Sequence, residues 1–375
     1  MSPARKAATA APTLSARALN RALLARQLLL ARQALPVTDA VSRVGGLQAQ
    51  LARPPFVGLW ARLRAFEREQ LLEPVRRREI VRATAMRGTI HLMTAADYCA
   101  HRGALQSTFD RGLRSVGKSW VDTTDLAALD AEARAYFGSE PATFEALRDH
   151  LAATDDRGNV RLCGYAVRMR LPLVQVPTDA PWGWPAAAPF ALADPWLGRP
   201  VPTDSGDAHP LVRHYLAAFG PATPADAQAW SGIAGLRPTF DSLRDELVSF
   251  RDERGRELFD LADAQRPDAD ADAPARLLPE FDTAILGHAD RSRIVPEAYR
   301  TRLVTKNLFV PATILVDGFV AGSWTAERKR KSATLTITPF AKVSKRARTE
   351  LEAEAEALLA FVEPEAGTRE VSWGE

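Results

Sequence analysis

The sequence predicts an α+β chain of tandem winged-helix (helix-turn-helix) modules followed by a C-terminal β-barrel-like unit. Three observations carry this. Apolar residues recur at helical spacing, and the helical groups give way to short β-like runs. A Phe219-Gly220-Pro221-Ala222-Thr223 elbow separates two helical stretches. Beyond an acidic segment the period changes to two, around an Asp317-Gly318 dipeptide that suits a two-residue hairpin.

Residues 1–15 are rich in Ala, Pro and Thr, lack the apolar core of a secretory signal, and read as a disordered leader. Residues 16–122 make the first module. Leu23, Leu24, Gln27, Leu28 and Leu30 place an amphipathic helix over 19–34, stopped by Pro36. Thr38-Asp39 offers a cap for a helix through Val41, Val44 and Leu47. Pro54-Pro55 breaks the chain, and a third helix runs over 66–77. Strands over 80–83 and 89–92 then flank a turn at Arg87-Gly88, and Thr94 opens the next helix.

Residues 123–205 hold a second module, with helices over 126–136 and 144–153 and strands over 160–162 and 174–176. Its Pro/Trp-rich stretch, 181–202, reads as an irregular connector pinned by aromatics. Residues 206–275 form a third module and an acidic linker. A helix ends on the Gly220-Pro221 stop, Thr223 caps the next through Ala225, Ala229 and Trp230, and another is expected over 243–248. Residues 276–375 supply strands over 308–316, 319–324 and 333–338, a basic hairpin tip and a last helix over 341–362.

Bulk properties narrow the function classes. The 375 residues are 46% hydrophobic and 25% charged, ordinary for a globular protein large enough for several cores. No apolar run approaches the roughly 20 residues of a membrane span. Two cysteines, Cys99 and Cys163, without CxxC spacing, argue against a disulfide framework or structural zinc and fit a reducing cytoplasm. Net charge is +3, but the cations bunch: Arg76-Arg77-Arg78, then Arg328-Lys329-Arg330-Lys331, then Lys342 to Arg348. Such runs are usually solvated faces; three of them, with an acidic linker between modules, point toward a polyanion.

Common catalytic signatures are missing. There is no Gly-rich phosphate loop, no HExxH and no GxSxG elbow, and His209 and His214 are awkwardly spaced for a metal. No cofactor or metal is implied. What remains is Gly45-Gly46-Leu47-Gln48-Ala49-Gln50. Its glutamines are either the solvated end of a helix or a functional pair. Residues two apart diverge on a regular helix, so in the second reading either the backbone leaves helical geometry, which the glycines ease, or only one amide contacts the reacting centre.

Taken in order, Leu47-Gln48-Ala49-Gln50, Arg87-Gly88-Thr89-Ile90-His91-Leu92, Gly220-Pro221-Ala222-Thr223, Leu278-Pro279-Glu280-Phe281-Asp282 and Val316-Asp317-Gly318 with Gly322-Ser323-Trp324 resemble the AlkZ-type winged-helix DNA glycosylases and their YcaQ-like relatives. The resemblance spans about residues 19–362. It implies three winged-helix modules around DNA and a Gln-hydrophobic-Gln catalytic motif, matched by Gln48 and Gln50 with a small Ala49 between. It implies a bacterial, cytoplasmic, nucleoid-associated monomer that excises alkylated purines from double-stranded DNA, in the branch tied to bulky lesions, cross-links and antibiotic self-resistance. Thr89 and His91 become candidate active-site or DNA contacts. Arg76, Arg77, Arg78 and the Arg328, Lys329, Arg330, Lys331 tip become candidate phosphate contacts. The competing readings are a non-catalytic multi-winged-helix regulator and a drug-sequestering resistance protein.

Overall fold

The computed structural model describes residues 11–154, 158–204, 206–303 and 309–374. Most of the expected leader lies outside these, but its end is ordered. Thr13–Leu14 pairs in parallel with the strand Leu247–Asp252, and Ser15 caps the helix Ala16–Arg26 by accepting the Ala18 N–H. That helix is shorter than the periodicity suggests, because Leu28 adopts a left-handed φ of 57° and Gln27 instead donates to the carbonyls of Val44 and Ala218. The next helix, Val37–Arg43, begins behind Pro36 without a side-chain cap, so Thr38-Asp39 sits inside it. Pro54-Pro55 does not break the chain. It occupies the first turn of the helix Pro54–Arg62, where the missing N–H has no partner to lose. The third expected helix is Glu69–Arg76.

Strands Ile80–Thr84 and Ile90–Thr94 form the expected wing, and Thr94 caps the long helix Ala95–Thr123. Here the modular expectation gives way to sharing. The 160–162 strand is instead the start of the helix Val160–Arg170, capped by Asn159. The following strand, Leu173–Gln175, joins the first wing at Ala83↔Val174, giving a five-stranded sheet ordered Leu47–Gln48, Ile90–Thr94, Ile80–Thr84, Leu173–Gln175, Phe190–Leu192. The connector is pinned by aromatics as expected, but it is not irregular throughout: it holds the strand Phe190–Leu192, which pairs with Leu173–Gln175, and the short helix Ala193–Leu197. Trp182 packs edge-on against Phe56 at 5.1 Å with Arg68 3.9 Å above its ring, and Trp184 donates to the Gln175 carbonyl.

Around the elbow, helices His209–Phe219, Pro224–Ser231 and Arg237–Ser242 precede a hairpin, Leu247–Asp252 with Glu257–Leu261. The helix expected over 243–248 is therefore a short 3-10 turn running into a strand. Thr223 and Asp226 form a reciprocal capping box. Tyr215, Phe219 and Trp230 stack in the core below it, with ring centroids 5.2 to 5.6 Å apart.

The C-terminal unit is not a barrel. Five strands lie in the order Thr368–Trp373, Ser332–Pro339, Phe319–Lys329, Thr313–Val316, Arg276–Leu278, and the two outer ones do not meet. One face buries Leu335 and Ile337 against Leu351, Leu358 and Leu359 of the helix Lys345–Val362, which covers apolar surface that closure would otherwise have to bury. Two buried ion pairs tie distant segments together. Arg26 reaches Asp260 at 2.7 Å and Arg62 reaches Asp282 at 2.8 Å, each in bidentate form. No helix among the described residues is long and apolar enough to cross a membrane.

Candidate active site

The glutamine pair leaves helical geometry at the glycines. Gly45 and Gly46 take φ of 78° and 81°, and a Cβ on Gly45 would lie 2.8 Å from the Phe219 ring. The chain then runs extended against the wing strand, with Leu47 opposite Leu92 and Gln48 opposite His91. Ala49 is fully buried; its N–H donates to the Ile90 carbonyl at 2.7 Å, and its own carbonyl accepts two bonds from Arg82, at 2.7 and 3.0 Å. A small middle residue is what this packing admits. Past Ala49 the Gln50 side chain takes the ladder position, its Oε1 accepting the Ile90 N–H at 3.0 Å.

Gln48 is 9% exposed and its Oε1 accepts from Arg87 Nη2 at 2.8 Å. Arg87 sits in the wing turn with a left-handed φ of 57°, and its other guanidinium nitrogen donates to the Trp230 carbonyl. Burial, then the like charge of Arg291, brings its pKa down to about 10, so it stays cationic at neutral pH. Both glutamine oxygens are thus fixed by one donor each. A carbonyl oxygen has two lone pairs, so each retains one acceptor site.

His91 and Thr89 are drawn into the same cluster as supports. Burial first, and Arg87 second, push the His91 pKa down to about 3, leaving a neutral ring whose Nδ1 lies 3.1 Å from the Thr89 carbonyl. Thr89 Oγ1 donates to the Met86 carbonyl, closing the turn.

Arginine-lined hollows adjoin the pair. Gln50 lines a cavity of about 310 Å3 with Arg82, Arg148 and Arg168. Arg87, the partner of Gln48, lines a cavity of about 910 Å3 with Arg254, Arg256, Arg291 and Arg300. The basic runs singled out in the sequence lie elsewhere and are largely paired. Arg76 bonds Glu69, Arg77 bonds Glu73 and Glu79, and Arg78 donates to the Trp196 carbonyl. In the hairpin Arg328 pairs with Glu363 at 3.2 Å and Lys329 lies 3.6 Å from Glu327, while Arg330 and Lys331 have no carboxylate partner among the described residues. Arg87 stood in the sequence only as part of its turn and of the Arg87–Leu92 motif, with no role assigned, and Arg291 carried no signal at all.

One cluster could in principle hold a metal. Asp97, His101 and His214 bring ligand atoms within 4.8 Å of one another. Yet His101 Nε2 and His214 Nδ1 are 2.7 Å apart, and His214 Nε2 is 2.6 Å from the Ser42 carbonyl. That spacing is a hydrogen-bond chain; two nitrogens on one tetrahedral zinc would stand roughly 3.3 Å apart.

Helices with β-hairpin wings, and an amide pair held between arginine-lined hollows beside the first wing, are the arrangement expected of a DNA-processing enzyme. The chain belongs to the AlkZ-like DNA glycosylase family, whose profile matches residues 41–361; these enzymes are hydrolases of N-glycosyl bonds. It is similar to the interstrand DNA cross-link repair glycosylase of Streptomyces sahachiroi, with 27% identity over 340 residues, 84% of this chain and 88% of that protein. The fold matches the solved Streptomyces sahachiroi DNA glycosylase AlkZ with a TM-score of 0.78 at 22% identity, covering 96% of this chain and 99% of that one.

Proposed function

We propose that this chain is a monofunctional DNA glycosylase that hydrolyses the N-glycosidic bond of alkylated purines, N7-alkylguanine and N3-alkyladenine. Its substrates extend to bulky adducts and interstrand cross-links left in double-stranded DNA by an alkylating antibiotic, and it acts as a monomer without a cofactor. The observation that carries this reading is the Gln48–Gln50 pair, with both carbonyls oriented by fixed donors and each keeping a free lone pair.

Alkylation at N7 or N3 makes the base cationic, so it departs neutral and leaves a sugar of oxocarbenium character. An amide is too weak a base to take a proton in such a step. It can hold a water by accepting its hydrogen bond, and its carbonyl dipole favours the developing sugar cation. The oxygen of Gln50, bound to a neutral backbone N–H, is the better acceptor and holds the water. That of Gln48, polarised by Arg87, mainly orients the amide. With no carboxylate at position 50 and a neutral His91, nothing protonates an undamaged purine, and normal bases are spared. The relative named for cross-link repair supports including cross-links among the substrates.

The test is free-base release from duplex DNA carrying N7-methylguanine, with an undamaged duplex and a borohydride trapping arm. Release from the damaged duplex alone, without a trapped protein–DNA adduct, is expected. Binding without release would turn the reading to a regulator, and binding of the free drug alone to a sequestering protein.

A further inference from the structure

We infer that Arg291 and Arg300, together with Arg87, form a phosphate-binding site in the wall of the large cavity, which takes a DNA backbone phosphate close to Gln48. The inference rests on the glycosylase reading and locates the anion contact that the sequence placed elsewhere.

The cavity is lined by five arginines against three carboxylates, and the carboxylates are already engaged. Asp226 accepts the N–H and hydroxyl of Thr223 at 2.9 and 2.8 Å and the Ala289 N–H at 3.0 Å. Asp290 accepts from Arg254 at 3.1 Å, from Arg256 at 2.6 Å and from the Ser292 N–H at 3.0 Å. Glu297 reaches only Arg300, at 3.4 Å, and both side chains are more than 70% exposed, which makes that pair weak. Arg291 is half-buried; its backbone carbonyl accepts from Ile294 and Val295, but its guanidinium has no ion pair or hydrogen bond among the described residues. Its surroundings oppose its charge: burial lowers its pKa, and the next cause is Arg300 rather than any carboxylate. Arg87 in turn is disfavoured by Arg291.

A row of guanidiniums that destabilise one another, beside a cavity of about 910 Å3, is an arrangement that an anion relieves. The planar fork of arginine matches a phosphodiester in particular, and such contacts give affinity without reading sequence. Because Arg87 also holds Gln48, a phosphate seated here would place the neighbouring sugar within reach of the amide pair.

The experiment measures binding of an undamaged duplex across a salt series. Each neutralised phosphate contributes about 0.9 to the slope of log affinity against log salt. Because both face the same phosphate, the Arg291→Gln, Arg300→Gln double variant should flatten the slope by about that much, and each single variant by part of it. Arg300 is exposed, so its variant keeps the fold even if Arg291→Gln does not. Arg237→Gln, a surface residue tied to Asp241 and Glu257, should leave the slope as it is. A double-variant slope equal to wild type overturns the inference. Base release is read separately on wild type: no release by wild type together with a flattened slope in the variants sinks the glycosylase reading and keeps this site, whereas release by wild type with an unchanged slope in the variants does the opposite.

Discussion

In the proposed mechanism Arg87 acts on the reaction through Gln48, and a double-mutant cycle tests this directly. Replacing Arg87 with Ala removes the donor 2.8 Å from Gln48 Oε1 and frees the amide to rotate. A hydrogen bond from a charged group is worth about 1.5–3 kcal/mol, so base release should slow roughly ten- to a hundredfold. The same substitution strands the Trp230 carbonyl and should lower stability by about 1–3 kcal/mol, which urea unfolding measures independently. The assay is single-turnover release of N7-methylguanine at saturating enzyme, where folding and affinity drop out of the rate. In a Gln48→Ala background Arg87→Ala should slow release by less than threefold, a factor of about 0.6 kcal/mol, because its target is already gone. Equal slowing in both backgrounds would refute the idea that Arg87 works by positioning Gln48.

Other outcomes follow from the same contacts. Asp282→Ala leaves Arg62 charged and buried, and should destabilise the chain by about 3–5 kcal/mol in urea titration; a change under 1 kcal/mol would contradict the buried pair. His91 titrates near 6.5 when unfolded but only at about 3 when folded, so below pH 6.5 the unfolded state binds the extra proton and stability falls as pH drops toward 3. The contribution is about 2 kcal/mol between pH 7 and pH 5, and wild type should lose that much more than His91→Gln over this range; parallel losses would show that His91 is not held neutral. In the hairpin, Lys329→Gln, Arg330→Gln and Lys331→Gln together should flatten the salt dependence of DNA binding as far as neutralising all four cations, because Arg328 is held by the largely buried Glu363 whereas the Lys329–Glu327 contact is exposed and weak. An unchanged slope would show that the tip does not touch phosphate.

Where local chemistry decides the structure, the sequence was legible. Thr94 and Thr223 cap the helices they were expected to cap, the Arg87-Gly88 turn joins two strands, and the double glycine bends Gln48 and Gln50 out of the helix. Pairing over long sequence distance was not. Nothing local tells Leu173–Gln175 to join the first wing rather than build its own, or tells Arg276–Leu278 and Thr368–Trp373 to extend an open sheet instead of closing a barrel. The run 160–162, Val160-Arg161-Leu162, is too short for periodicity alone to assign; Asn159 as a cap decides for helix. The site divides in the same way. The amides are visible as a motif, whereas the arginines beside them come from three separate stretches that only folding brings together: Arg82 and Arg87 on the wing, Arg168 on a later helix, Arg291 and Arg300 between the first two strands of the last sheet. Clustered charge alone says little about which cations are free, because adjacent cations on a helix also meet nearby carboxylates, as Arg77 meets Glu73.

The most direct measurement compares free N7-methylguanine released from duplex DNA by wild type, Gln48→Ala and Gln50→Ala, with affinity for the same duplex determined alongside. Wild type should release the base. At least one variant, Gln50→Ala foremost, should lose most of that activity while still binding DNA. Equal release by all three proteins would contradict the assignment of the amide pair to catalysis.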